Sequence, residues 1–203
     1  MIYERFQQLV QTDFPSLLSE RGFIKKGDLF YNRSSKEIGW VVEITPSIKI
    51  TEEEMEFMLE TSVFLPAIYE IVMNQKAFDV PEKLETGDIL YKSIADLKGN
   101  KKHMKYRLNE LYVDLPKLIK TVEEDIDEFV LPHFQQLTSM EKLIEKLGTN
   151  NYVDRYLYKG ILLGLQGDTA ASKELLLSYK QGWDDDSIQA RAAEEAAKAL
   201  GFE

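Results

Sequence analysis

The side chains able to do chemistry are few and poorly grouped. His103 and His133 are the only histidines, and neither belongs to an HExxH, HxH or spaced Cys/His set that could hold a metal through imidazoles. Cysteine is absent, which removes disulfides, thiolate-bound zinc, iron–sulfur clusters and a thiol nucleophile together. The chain has no GxSxG elbow, no GxxxxGK(S/T) loop and no GxGxxG turn, and Gly160, Gly164 and Gly167 follow a different spacing inside helical sequence. No catalytic residue, cofactor or metal ligand is assigned.

Charge is clustered instead. A hard cation needs carboxylates converging from separate elements, whereas the runs Glu52-Glu53-Glu54 and Glu123-Glu124-Asp125 point apart along one element and read as solvated faces. Asp184-Asp185-Asp186 precedes a helix, where negative charge suits the N-terminal dipole and one Asp serves as the cap. Lys98, Lys101, Lys102, Lys105 and Arg107, interleaved with His103 and Tyr106, could grip single-stranded nucleic acid by charge and stacking. A lysine-rich turn or edge-protecting charge is the simpler reading. One further set, Tyr31, Arg33 and Trp40, would line a pocket if the sheet leaves one beneath a helix.

The elements that must position these residues centre on Arg21 to Ile50. Phe23 to Lys25 and Leu29 to Arg33 flank the Gly-containing loop Lys26-Gly27-Asp28, and a longer third strand follows, so three antiparallel strands are expected. Trp40, Val42, Ile44, Ile48 and Ile50 share one parity, giving that sheet an apolar face that needs a cover. Tyr3, Phe6, Val10, Phe14, Leu17 and Leu18 supply a helical stripe for it. Pro15 should kink that helix or start a second one with Asp13 as N-cap, and Gly22 should end it. Pro46 predicts a bulge. Met55 to Leu65 alternates as a strand but also fits a helical face; we read it as a strand.

Beyond it, Pro66 to Val72 reads as a short helix, Asn74 to Gly87 as a loop, and Ile89 to Leu97 and Lys102 to Leu111 as strands. Asp114 caps a helix whose stripe runs through Leu115, Leu118, Val122, Ile126 and Val130 until Pro132 ends or bends it. Thr138 with Glu141 forms a capping box for a helix that stops at Gly148. Asn150 to Leu165, Asp168 to Gln181 and Asp186 to Leu200 then read as three helices, with Gly160 and Gly164 leaving a groove for a neighbour. The expected fold class is α+β: an antiparallel sheet of about 4–6 strands covered by helices over residues 1–148, and an all-α, three-helix extension over 149–203.

Arg21-Gly22-Phe23-Ile24-Lys25-Lys26-Gly27-Asp28-Leu29-Phe30-Tyr31 resembles the signature of a bacterial family, domain of unknown function 4304. Val63 to Ile71 (VFLPAIYEI) and Val130-Leu131-Pro132-His133-Phe134 followed by Thr138 to Glu141 are similar to later segments of that family, so the resemblance covers about residues 1 to 148. Thr45-Pro46-Ser47 stands where the family has a Gln-Lys-Ser turn, and His133 where it has an aromatic. The resemblance implies helices against an antiparallel sheet and favours a strand at Met55 to Leu65. It implies no activity.

The 203 residues carry a formal charge of −10, with ten carboxylates against two lysines between residues 51 and 90. Such a surface repels phosphate backbones, so duplex nucleic acid is not an expected partner, whereas a cationic protein is. No stretch approaches the roughly 18 apolar residues of a membrane span, and the N-terminus lacks a signal-peptide pattern, so a cytoplasmic address is expected. Three functions compete. The first is a non-catalytic interaction module, in its narrowest form an immunity-type inhibitor of a basic toxin. The second is an enzyme or small-molecule binder with a pocket between the sheet and the Asp114 to Val130 helix. The third is a regulatory domain whose helical tail makes the contacts.

Overall fold

The computed structural model describes residues 2–33, 35–51, 53–73, 88–99, 105–109, 114–149 and 154–202. Its chain divides into two compact units, residues 1–64, 80–83 and 91–136, and residues 65–79, 84–90 and 137–203. The second unit thus joins the segments 65–79 and 84–90 to residues 137–203.

The chain forms an antiparallel sheet. Its strands are β1 (Ile24–Lys26), β2 (Leu29–Asn32), β3 (Gly39–Ile50), β4 (Glu54–Phe64), β5 (Asp88–Ser93) and β6 (Tyr106–Asn109), all within the first unit except residues 88–90 of β5. They lie in the order β1-β2-β3-β4-β5, with β6 also paired to β4. The hairpin between β1 and β2 turns in two residues: Lys26 faces Leu29, and Gly27 takes φ 57°, the left-handed region that a tight hairpin demands and glycine tolerates. The register between β3 and β4 slips between Pro46 and Ile50, where the proline interrupts the ladder as expected. The strand reading of Met55 to Leu65 holds.

Val42, Ile44, Met55, Phe57, Leu59 and Phe30 are buried on one face of this sheet against Phe6, Phe14, Val122, Ile126, Val130 and Phe134. Leu29, Tyr31, Val41 and Phe64, of the opposite parity, are buried too, so the sheet has apolar positions on both faces.

Two helical segments of this unit meet a proline in the same way. Helix α1 (Ile2–Gln8) passes through a π-helical turn at Leu9–Asp13 into α2 (Phe14–Ser19), with Pro15 second in the resumed helix. After α3 (Pro66–Met73), which belongs to the second unit, and the short α4 (Ile94–Leu97), α5 (Leu115–Asp125) passes through a π turn at Ile126–Val130 into α6 (Leu131–Gln135), which carries Pro132. A proline cannot donate and its ring crowds the carbonyl four residues back. One widened turn just before it relieves both demands, so neither Pro15 nor Pro132 ends a helix. Asp13 accordingly stays helical and makes no side-chain cap, a correction to the N-cap expected there.

The remaining ends follow capping chemistry. Gly22, at φ 80°, closes α2 with Phe23 N donating to Leu18 O, the wrap-around bond of a glycine-terminated helix. Asp114 accepts from Lys117 N and starts α5. The strand expected to reach Leu97 stops at Ser93 because Ser93 and Asp96 form a reciprocal capping box that turns the chain into α4. The strand expected over Lys102 to Leu111 is described only at β6, and the loop expected over Asn74 to Gly87 lies outside the described residues.

In the second unit, α7 (Met140–Thr149), α8 (Arg155–Leu165), α9 (Thr169–Gln181) and α10 (Ile188–Ala199) pack in sequence. Helix α7 is capped by Ser139 rather than Thr138, with Lys142 N facing Ser139 Oγ and Glu141 held below its ordinary pKa first by the Ser139 hydroxyl. The expected close approach at Gly160 and Gly164 is present. A Cβ at Gly160 would meet Leu176 at 3.0 Å, and one at Gly164 would meet Leu200 at 2.7 Å. Ser172 Oγ fills the same seam by donating to Gly160 O at 2.7 Å.

Candidate functional site

The residues expected to line a pocket do not converge. Tyr31 faces Val41 across the β2–β3 ladder, one residue out of phase with Trp40, so the two side chains leave opposite faces of the sheet. Tyr31 meets Phe64 edge-on at 6.4 Å and lies so close over Gly39 that a Cβ there would fall 2.2 Å from its ring. Trp40 stacks on Phe134 at 5.3 Å with the rings 4° from parallel. Its buried Nε1 has no hydrogen-bond partner among the described residues. Arg33 is exposed and donates to Lys36 O. Where a cleft was expected between the sheet and α5, the described side chains of Val42, Phe57, Val122 and Ile126 are packed together.

Three polar groupings occupy the first unit. Asp125, expected on a solvated face, is buried: Tyr106 OH donates to Oδ2 at 2.6 Å and Lys98 Nζ lies 2.5 Å from Oδ1. Burial, and then the bond to Asp125, pushes the Tyr106 phenol far above its ordinary pKa, so it stays protonated and cannot serve as a base. Both carboxylate oxygens already hold donors. The cluster therefore ties β6 and the residue after α4 to α5, and supplies no nucleophile.

The second grouping is a fork. Arg21 presents Nε and Nη2 to the two oxygens of Asp127, each at 2.6 Å, and Nη2 also reaches Glu123 at 3.1 Å. The guanidinium hydrogen bond depresses Asp127 below its ordinary carboxylate value, against a smaller opposing effect of burial. The third lies across the sheet. Lys105 Nζ donates to Ser47 Oγ at 2.9 Å and to Glu56 Oε2 at 3.1 Å, while Arg107 pairs with Glu54 at 2.7 Å and Glu56 at 3.1 Å. Lys105 and Arg107 of the expected basic cluster are thus paired with Glu54 and Glu56, as Lys98 is with Asp125. Lys101, Lys102 and His103 lie outside the described residues. His133 sits in the last turn of α6, its ring 5.8 Å from that of Phe134.

Among the described residues, the second unit carries an open recess with exposed apolar residues. Leu177, Trp183, Asp184 and Asp185, with Lys180 and Gln181, line an open recess of ≈ 400 Å³ where α9 gives way to α10. Leu177 is 57% exposed and Ile188, at the start of α10, 75%. Trp183 is held by Tyr179, ring centroids 6.1 Å apart, and Tyr179 OH donates in turn to Asp154. The three aspartates do not cap α10, contrary to expectation. Ser187 does so, its side chain accepting from Ala190 N, which leaves Asp184 to Asp186 exposed before the helix. Lys180 is paired with Glu194 at 2.6 Å, which raises its pKa ahead of a weaker effect of Asp185.

A second recess, ≈ 250 Å³, runs along the same two helices and is lined by Leu176, Leu177, Ala193, Ala197 and Phe202 together with Lys173, Lys180 and Glu194. Sequence reasoning passed over both, although Leu177 and Ile188 are the signal: large apolar residues that no stripe needs. Among the described residues no group of three or more His, Asp or Glu could hold a metal ion, and no helix is long and apolar enough to cross a membrane. Comparisons with protein-family models, with curated proteins and with solved structures gave no match.

Proposed function

We propose that the protein is a non-catalytic interaction module that docks a cationic, amphipathic segment of a partner protein on its helical unit, where α9 gives way to α10. The observation that carries this reading is the juxtaposition of exposed Leu177 and Trp183 with the uncapped, exposed aspartates Asp184 and Asp185 in one recess. An aromatic and a leucine give buried area, and the carboxylates beside them select a positively charged partner and speed its approach. The acidic stretch from 51 to 90 is a poorer candidate, since Glu54 and Glu56 already hold Arg107 and Lys105. A basic toxin held by an immunity-type inhibitor is the narrowest form of this function, acting in the cytoplasm. Kinship with bacterial domain of unknown function 4304 belongs to the same proposal and is supported by the hairpin at Arg21 to Tyr31.

A labelled helical peptide carrying lysines on one face and leucines on the other tests it by fluorescence anisotropy. Binding at low salt should weaken at least tenfold in Asp184→Asn/Asp185→Asn and fall steeply as salt rises. Equal affinity for a glutamate-faced peptide of the same apolar face would refute the reading.

A further inference from the structure

We propose that the groove between α9 and α10 binds a small hydrophobic carboxylate, a ligand separate from the cationic partner. The floor is aliphatic and aromatic, from Leu176, Leu177, Ala193, Ala197 and Phe202, so a polar metabolite would lose its hydration there without gaining partners. The charged groups of the lining are Lys173, Lys180 and Glu194, and the two lysines are not equivalent. Lys180 already holds Glu194 at 2.6 Å. Lys173 has no carboxylate partner among the described residues; its ammonium rests 5.2 Å from the centre of the Phe202 ring. A cation–π contact at an exposed site is weak, of the order of 0.5–1 kcal/mol, so Lys173 is free to exchange it for an anion.

An apolar slot ending at one uncommitted ammonium fits a molecule with an apolar body and one terminal carboxylate. Gly201 at φ 72° turns the chain and Phe202 N donates to Ala197 O at 2.9 Å, which holds the Phe202 backbone against the last turn of α10. Helix α10 thus presents the ring back over its own last turn, opposite Lys173 of α9.

Titration of the full chain with butanoate, hexanoate, octanoate and 1-octanol, followed by amide chemical shifts, tests the site. Affinity should rise about fourfold per added methylene up to octanoate, with saturable shifts confined to residues 173–202. Lys173→Met, on an exposed position, should weaken octanoate about tenfold and leave 1-octanol unchanged. Ala197→Leu, which fills the floor, should weaken both ligands while the circular dichroism spectrum is retained. Absence of saturable shifts, or an octanoate affinity indifferent to Lys173→Met, would overturn the proposal. Neither result bears on peptide binding, which depends on Asp184 and Asp185.

Discussion

Lys98 and Asp125, 27 positions apart in the chain, meet with Nζ 2.5 Å from Oδ1, and the carboxylate they share with Tyr106 is almost wholly buried. A buried ion pair adds little over an apolar pair, but removal of one member strands the other charge. Lys98→Met should therefore destabilise the fold by about 3 kcal/mol, and Tyr106→Phe by about 1–2 kcal/mol. In Asp125→Asn, which removes the charge, the cost of Lys98→Met should fall by more than half. Urea unfolding of the wild type, Lys98→Met, Asp125→Asn and the double variant gives the comparison, and additive costs would show that Lys98 and Asp125 act independently.

Gly39 is required by Tyr31. The ring lies where a Cβ would stand, at 2.2 Å from Cε2 and 2.6 Å from the hydroxyl oxygen. Gly39→Ala should cost about 1–3 kcal/mol through overpacking, and Tyr31→Leu should recover part of that cost when combined with it. Thermal denaturation of the single and double variants reads this directly.

Acid should loosen the Arg21 fork in a defined window. Asp127 is depressed below its ordinary value of 3.8 by the Arg21 hydrogen bond. A depressed folded pKa contributes stability that is fully present above the unfolded value and is lost as pH falls through the folded one. Stability from this pair is therefore intact above about pH 5 and disappears below pH 3.8. Carboxyl-carbon shifts should show Asp127 titrating lower in the wild type than in Arg21→Gln; coincident midpoints would contradict the assignment.

Much of the architecture is legible because it rests on local chemistry. Gly27 with its flanking alternation specifies a hairpin, Gly22 and Asp114 mark helix ends, and Pro46 marks a slip in register. What failed depends on tertiary context. At Pro15 a kink or a new start, and at Pro132 an end or a bend, were the expectations, because a widened turn leaves no trace in residue type. Asp125 read as solvated because its neighbours are acidic, although it falls three residues after Val122 and four before Phe129 and so lies on the apolar stripe. Its partners, from a turn and a strand, could not be paired by periodicity. Tyr31 and Trp40 of the candidate pocket stand at register positions that face opposite ways, and the recess favoured instead was visible only as a leftover apolar residue, Leu177.

The docking reading is tested most directly by the two tryptophan indole N–H signals in a nitrogen-edited proton spectrum, recorded while a lysine-faced amphipathic peptide is added at low salt. Trp183 lines the recess with Asp184 and Asp185, whereas Trp40 stacks on Phe134 with its Nε1 buried. The Trp183 signal should shift in a saturable way and the Trp40 signal stay in place. A Trp183 signal that does not move, or movement of Trp40 alone, would contradict the account.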